Sequence, residues 1–341
     1  MKYHPITDTI DLQASLRDIL DTQEFKSVYP TLSEYLDSFE QQGIPAKNDL
    51  KQLLNFLVTG LSNAKGTQSR FRNEAERFTL FCWHERGKSV LDIKLEDIKL
   101  YIDWIWSPPK NLISDTTISS RFKYRSNSDI RVVNPEWRPF VHRAPKANRK
   151  IESFIAPGKA SSIKHAYKLS QTSLRNSYAS LNVFFKWLID AELVMRNYLA
   201  DAKKNCKYLT KGKIYQPPHT FDDEVWDTFI QSLTDAANEN PKFEIHRFVV
   251  LSLKVLFLRI SELSSRDYYT PLFNHFRPDP SNEGWVLHVV GKGKKERVVT
   301  VPDSYIENVL GRYRESMGLS PLPRIDEDTP ILPSMKTGKA L

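Results

Sequence analysis

The sequence predicts a mainly α-helical protein with one small β-hairpin. In two long segments, which begin near residues 67 and 170, apolar residues recur at the 3.6-residue period of an amphipathic helix. Near residue 285 the apolar side chains instead alternate with a period of two, which is typical of a strand. The helical residues are Phe71, Ala75, Phe78 and Cys82 in the first segment and Leu174, Tyr178, Leu181, Phe185 and Leu188 in the second.

Length and composition limit the class of protein. The chain has 341 residues, of which 40% are hydrophobic and 26% charged, so we expect two or three globular domains and exclude wholesale disorder. Two cysteines exclude a disulfide scaffold and an all-cysteine zinc site, and no metal-ligand spacing is present. A secretory leader and an apolar run of membrane-spanning length are both missing, so we expect a cytoplasmic protein that has no membrane partner.

Positive charge is concentrated in two segments. The formal net charge is +8, yet residues 107–168 alone carry +9 and residues 1–66 carry −3. Residues 202–219 contain five lysines and no acidic residue. This asymmetry favours a polyanionic partner, most often a nucleic acid, although solvated loops can show the same pattern.

The N-terminal part is predicted to be helical. Residues 1–66 form an acidic segment with about three short helices, the last capped by Asp49, which is typical of a small bundle or an interaction arm. Residues 67–202 form a helical domain, whose first helix ends at Gly87 and whose second runs from Leu95 to Trp106. Its last long helix begins at Ser170 or Thr172. Residues 107–168, rich in proline and basic residues, are interpreted as an insertion that has no core of its own.

The C-terminal part combines helices with the hairpin. Residues 203–218 have the composition of a basic linker that ends in two prolines. Beyond it we expect helices over about 221–237, 244–257 and 303–317. Between the last two, residues 285–290 and 297–301 pair as strands across a turn at 291–295.

Two short motifs in this part contain residues suited to phosphate chemistry. Arg259 begins Arg-Ile-Ser-Glu-Leu at the end of an apolar helix, so we expect it to be partly buried. A buried arginine needs an anionic partner, which is either Glu262 or an external phosphate. Lys292 and Lys294 lie in the turn Gly-Lys-Gly-Lys-Lys, a composition that is equally typical of a solvent-exposed hairpin.

The order and spacing of these motifs resemble the tyrosine recombinase (phage integrase) family. An Arg-x-Ser-Glu-Leu helix end is followed about 30 residues later by a strand that enters Gly-Lys-Gly-x-Lys-Glu-Arg. Residues 67–106 and 169–202 resemble the helical, SAM-like core-binding domain of that family, including Phe-Phe-Lys-Trp-Leu at 184–188 and Asn197. The resemblance implies a DNA-binding core-binding domain at 67–202 and the N-terminal part of a catalytic domain at 219–341.

The resemblance also implies a site-specific recombinase that serves DNA integration for a mobile element. Arg259 matches the first catalytic arginine, which holds the nonbridging oxygens of the scissile phosphate. Lys292 matches the hairpin lysine that protonates the leaving 5′-oxygen, and Glu262 would orient Arg259. Members of the family attack with a tyrosine, form a 3′-phosphotyrosine intermediate and use neither metal nor cofactor. They assemble as tetramers on double-stranded DNA.

The sequence departs from the family pattern after the hairpin. None of the eight histidines has an arginine three residues later, so the His-x-x-Arg box is missing. Tyr268, Tyr269, Tyr305 and Tyr313 follow Arg259 without that box, and we expect them to be packing or surface residues. The expectation is therefore a C-terminally truncated recombinase that lacks its nucleophile. Two alternatives remain open: a non-catalytic DNA-binding protein that competes with an intact integrase at attachment sites, and a general nucleic-acid binder that shares the motifs.

Basic residues outside the catalytic motifs are expected to contact DNA phosphates. The resemblance implies two lobes around duplex DNA, with the linker lysines along the backbone and further contacts from the insertion. The candidates are Lys203, Lys204, Lys207, Lys211, Lys213, Lys294, Arg175, Arg121, Lys123, Arg125, Arg143, Lys146, Arg149 and Lys150.

Overall fold

A mainly α-helical fold with small sheets is present, which confirms the predicted fold class at this level. The chain divides into two compact units, Met1–Lys213 and Ile214–Leu341. The computed structural model describes residues 2–61, 65–114, 118, 120–142, 167, 169–209, 220–266, 268–281, 284–291 and 293–333.

The described part of the first unit consists of helices and four short strands. The helices are α1 (Gln13–Ile19), α2 (Gln23–Val28), α3 (Pro30–Glu40), α4 (Ala46–Thr59), α5 (Lys65–Arg86), α6 (Leu95–Trp106), α7 (Gln171–Asp190) and α8 (Leu199–Lys204). The strands are β1 (Ile113–Ser114), β2 (Phe122–Tyr124), β3 (Arg131–Val133) and β4 (Phe140–Val141). Strand β1 pairs with β4 in parallel, and β2 pairs with β3 in antiparallel orientation.

Helix ends in this unit follow local rules that the sequence predicts. Helix α5 ends at Arg86, and Gly87 takes a left-handed conformation (φ 60°) that glycine adopts without steric cost. The side chain of Ser170 accepts a hydrogen bond from the backbone N–H of Ser173 at 3.0 Å and so caps α7. Both predicted ends are confirmed, as are the bounds of α6.

The residues before and after position 66 share one hydrophobic core. The ring of Phe56 in α4 lies 4.9 Å from that of Phe184 in α7, centroid to centroid. Tyr29, which follows α2, packs edge-on against Phe122 of β2 at 5.5 Å. The boundary predicted after residue 66 therefore does not coincide with a boundary in the packing.

Asp49 is not the helix cap that the sequence predicts. Pro45 precedes the first residue of α4, and Asp49 is buried within that helix. Its carboxylate accepts hydrogen bonds from Trp83 Nε1 at 2.8 Å, Ser89 Oγ at 2.6 Å and the backbone N–H of Val90 at 2.9 Å. Asp49 thus joins α4 to the end of α5 and the turn that follows it.

A second buried acid connects the N-terminal segment to the insertion. Asp8 is fully buried, and its carboxylate accepts hydrogen bonds from Arg131 Nε at 2.8 Å and Nη2 at 2.6 Å and from Tyr29 at 3.0 Å. Part of the acidic charge of residues 1–66 is therefore neutralised inside the protein. The described part of the insertion belongs to the same core, because Phe122, Trp137 and Phe140 are buried in it.

The second unit combines helices with a three-stranded antiparallel sheet of order β5-β6-β7. Its described elements are α9 (Asp223–Glu239), α10 (Glu244–Val255), α11 (Ile260–Leu263), β5 (Phe276–Pro278), β6 (Trp285–Val290), β7 (Glu296–Val301), α12 (Asp303–Tyr305), a π-helical turn (Ile306–Gly311) and α13 (Arg312–Ser316). The predicted hairpin is confirmed as β6 and β7. Phe248, Leu287 and Leu310 are fully buried in the core of this unit.

Candidate functional site

A buried carboxylate organises the candidate site in the second unit. The side chain of Glu262 in α11 has no solvent exposure (0%). Its Oε1 accepts a hydrogen bond from Arg259 Nη1 at 3.0 Å, and its Oε2 accepts one from Arg297 Nη2 at 2.8 Å. One carboxylate therefore fixes two guanidinium groups that come from separate segments of the chain.

The backbone around Arg259 explains how this residue reaches Glu262. Helix α10 ends at Val255, short of the predicted end near residue 257, and Phe257 takes a left-handed conformation (φ 49°) that is uncommon outside glycine. Arg259 is then the N-cap of α11, and its backbone N–H donates to Glu262 Oε2 at 2.9 Å. The carbonyl of Phe257 also accepts a hydrogen bond from Arg297 Nη2, at 3.2 Å. The turn at 256–259 thus positions both arginines.

Glu262 is held in its charged form. Burial opposes ionisation of the carboxyl, but the hydrogen bonds from Arg297 and from Arg259 outweigh burial and keep the pKa of Glu262 below its ordinary value. The buried negative charge is therefore permanent at neutral pH, and it keeps both guanidinium groups in place.

Arg259 is more exposed than the sequence predicts. The side chain of Arg259 is 67% exposed, and that of Arg297 is 40% exposed. The expectation of a partly buried Arg259 is wrong, because the buried member of the pair is Glu262. Arginine has five N–H donors, and those of Arg259 that Glu262 does not use face solvent, where an anion can reach them.

The hairpin approaches the same carboxylate at Gly291. A Cβ atom at this position would lie 3.0 Å from Glu262 Oε1 and 3.7 Å from Arg259 Nη1, so a side chain would crowd the pair. The backbone N–H of Gly291 donates to the carbonyl of Lys295 at 2.8 Å and closes the turn. Lys292, the predicted general acid, follows Gly291 directly but lies outside the described residues.

Arg297 is a site residue that the sequence-based candidates omit. It pairs with Val289 across the hairpin, and it shares one strand face with Val299 and the buried Val301. An arginine that continues an inward-facing apolar series needs an anionic partner, and this signal was present in the sequence. The partner could not be found in the same way, since Glu262 lies 35 residues earlier.

The basic residues predicted to contact DNA phosphates fall into three groups: exposed residues, residues outside the described part of the chain, and the buried Arg121. Among the described residues, exposed side chains belong to Lys203, Lys204, Lys207, Lys294, Arg175, Lys123 and Arg125. Lys207 also forms an ion pair with Asp103 at 3.1 Å. Lys211, Lys213, Arg143, Lys146, Arg149 and Lys150 lie outside the described residues.

Arg121 differs from the exposed arginine that the sequence leads us to expect. It is buried, forms an ion pair with buried Glu76 and donates a hydrogen bond to Asn73 Oδ1 at 2.7 Å. Its guanidinium also lies over the ring of Trp137, 5.4 Å from the centroid. These contacts give Arg121 an internal, structural role.

The tyrosines that follow Arg259 divide into buried and partly exposed residues. Tyr305 and Tyr313 are buried and hydrogen bonded to Ser252 Oγ and to the carbonyl of Ile331, respectively. Burial raises the pKa of both phenols above the ordinary value. Tyr268 is 41% exposed and accepts a hydrogen bond from Arg266 Nη1 at 2.8 Å. Tyr305 and Tyr313 are thus packing residues, and Tyr268 lies at the surface.

Neither a metal-binding cluster nor a membrane-spanning helix is found among the described residues. The part of the chain that the structure describes contains no group of three or more His, Cys, Asp or Glu side chains able to hold a metal ion. Within the same residues, no helix has both the length and the apolar character needed to cross a membrane. Comparison with known protein families, with curated proteins and with solved structures finds no match to this chain.

Proposed function

We propose that the chain is a DNA-binding protein of the tyrosine recombinase type, and that Arg259 holds a phosphodiester of duplex DNA. The observation that supports this proposal best is the buried Glu262 carboxylate, which orients an exposed Arg259 beside Gly291 of the hairpin. The two motifs that resemble the family in sequence are therefore neighbours in the fold.

The arrangement suits the binding of a phosphate. A guanidinium held in place by a carboxylate presents its remaining donors in a fixed plane, so little freedom is lost when two of them bind the nonbridging oxygens. Two guanidinium groups share one carboxylate, which leaves an excess of positive charge at the site. The exposed side chains of Lys294 and Lys295 in the adjoining turn add to that charge. Arg259 would also stabilise the additional charge of a pentacoordinate transition state.

Lys292 is proposed as the general acid of the reaction on the strength of the family resemblance. Gly291 lies within van der Waals reach of the Arg259–Glu262 pair, and the lysine is the next residue in the chain. An ammonium group on a turn beside the bound phosphate could donate its proton to a leaving 5′-oxygen.

A non-catalytic DNA-binding protein is the second candidate, and the burial of two of the four tyrosines that follow Arg259 favours it. Tyr305 and Tyr313 are buried and hydrogen bonded, so neither can attack a bound phosphate in this conformation. The chain would then bind attachment sites and compete there with an intact recombinase.

Binding and chemistry can be tested in one experiment. Duplexes enriched from a random library by binding to the protein are nicked beside the protected region, so that a phosphotyrosine intermediate becomes trapped. We expect salt-sensitive duplex binding without a covalent adduct, which supports the second candidate. An adduct that maps to a tyrosine would support the enzyme, and failure to bind any duplex would contradict both.

A further inference from the structure

A large polar cavity lies in the first unit, whereas Arg259 and Glu262 belong to the second. Its volume is about 640 Å³, within the range of about 300–1,000 Å³ that is usual for small-molecule sites. Helices α5 and α7 and the described part of the insertion line it. Its lining includes Arg70, Arg72, Arg77, Arg121 and Arg138.

The described lining of the cavity has an excess of positive charge. Five arginines and two glutamates, Glu74 and Glu76, face it. Arg77 forms an ion pair with Glu74 at 3.0 Å, and Arg121 forms one with Glu76. The other three arginines form no ion pair with any residue that the structure describes. Three positive charges at the cavity therefore have no carboxylate in an ion pair among the described residues.

Two of these three arginines are held by neutral oxygen atoms. Arg72 Nη1 donates to the backbone carbonyl of Asp8 at 2.9 Å, and Arg138 Nη1 donates to the carbonyls of Pro135 at 2.9 Å and Trp137 at 2.7 Å. Such bonds fix the position of a guanidinium but do not neutralise its charge.

The charge of Arg72 is only partly compensated. Its Nε is buried and has no hydrogen-bond partner among the described residues, which is rare for a buried polar atom. Burial, the largest cause, and the neighbouring positive charge of Arg121 lower the pKa of Arg72 to about 10, although the carboxylates of Glu76 and Asp8 act in the opposite direction. An anion in the cavity would reduce the repulsion between Arg72 and Arg121 and could accept the unused hydrogen bond of Arg72 Nε.

We infer that this cavity binds a small phosphorylated molecule. Arg70, Arg72 and Arg138 would receive the phosphate, since guanidinium donors match its oxygens and its charge. The partly exposed ring of Tyr167 also lines the cavity and offers an apolar surface for the rest of the ligand. A molecule of mononucleotide size fits the volume. This site is independent of the function proposed for Arg259.

Isothermal titration calorimetry of the full chain at constant ionic strength tests the inference. The probes are inorganic pyrophosphate, AMP and a short DNA duplex, which separate a free phosphorylated molecule from the DNA backbone as the source of phosphate. Arg70→Gln with Arg138→Gln removes two of the three unpaired charges. The control is Arg17→Gln with Arg196→Gln, two arginines outside the cavity whose partners, Asp18 and Asp201, are exposed.

We expect AMP or pyrophosphate to bind the unmodified protein and the control alike, and to bind the cavity variant at least about tenfold more weakly. Unchanged thermal midpoints without ligand would show that both variants fold. The inference is overturned if neither AMP nor pyrophosphate binds the unmodified protein. So does a loss confined to duplex affinity, because the arginines would then belong to a DNA-binding surface.

Discussion

The guanidinium of Arg297 donates a hydrogen bond to the buried carboxylate of Glu262 at 2.8 Å. The same carboxylate holds Arg259, so strand β7 and the start of α11 are connected through one buried negative charge. In binding sites, the side chain that contacts the ligand is commonly held in position by hydrogen bonds to neighbouring residues. Arg297 thus binds the same carboxylate to which Arg259 is hydrogen bonded.

Replacement of Glu262 by Gln is expected to reduce the free energy of unfolding by about 1–3 kcal/mol at neutral pH, because two guanidinium groups lose a charged acceptor. The folded-state pKa of Glu262 is lowered: burial raises it, but the bonds from Arg297 and Arg259 prevail. The stabilisation is therefore present above the unfolded pKa of about 4.3 and is lost as pH falls through the folded value. Urea denaturation between pH 7 and pH 3 checks this, and a difference that persists undiminished in acid would contradict it.

The Asp8–Arg131 pair is expected to be essential to the first unit. Both side chains are buried, so Arg131→Ala leaves an unpaired buried carboxylate and should lower the free energy of unfolding by about 3–5 kcal/mol. The matched control is Arg196→Ala, which breaks an exposed pair with Asp201 and should cost about 1 kcal/mol or less. Equal effects of the two substitutions in chemical denaturation would show that the buried pair is not structural.

His84 should make the first unit less stable in mild acid. Its ring stacks on Tyr3 at 3.8 Å, its Nε2 lies 2.6 Å from the hydroxyl of Tyr35, and burial lowers its pKa to about 4. The unfolded chain therefore binds more protons than the folded one between about pH 4 and 6.5, and stability should fall by about 1 kcal/mol per pH unit as pH decreases through that interval.

Denaturation of His84→Gln at several pH values measures this contribution. The slope should become shallower than in the unmodified protein, whereas His246→Gln, at an exposed position, should leave it unchanged. A variant at position 84 with the original slope would assign the acid sensitivity to other groups.

Some elements of the fold could be predicted from the sequence because local rules determine them. The bounds of α6, the Ser170 cap and the end of α5 at Gly87 depend on periodicity, capping and glycine geometry. The hairpin follows from alternation of apolar residues and a glycine-rich turn. All these signals lie within a few residues of the feature they predict.

The sequence-based predictions that are wrong concern residues whose surroundings depend on tertiary contacts. Aspartate is a common helix-cap residue, yet Asp49 is buried and its carboxylate accepts hydrogen bonds from Trp83 and Ser89. Arg121 looks like part of a basic surface, but Glu76 and Trp137 enclose it. The exposure of Arg259 depends on which member of the Arg259–Glu262 pair is buried, and that is decided by the tertiary packing around α11.

Exposed and buried basic residues of the insertion should behave differently on DNA. Substitution of Lys123 and Arg125 by Ala should weaken duplex binding and reduce its salt dependence by about one unit of slope per lost phosphate contact, without loss of stability. Arg121→Gln should instead destabilise the fold. Anisotropy titrations with parallel thermal melts separate the two. Whole deletion of residues 107–168 is unsuitable, because Phe122 and Phe140 belong to the core.

The salt dependence of duplex binding by Arg259→Ala tests the central claim most directly. Dissociation constants for one duplex are measured across a salt series for the unmodified protein, for this variant and for Arg324→Ala, an exposed arginine of the same unit. We predict that Arg259→Ala binds about tenfold more weakly at low salt and that its slope is smaller by about one, whereas Arg324→Ala matches the unmodified protein. Superimposable curves for all three proteins would contradict the proposed phosphate contact of Arg259.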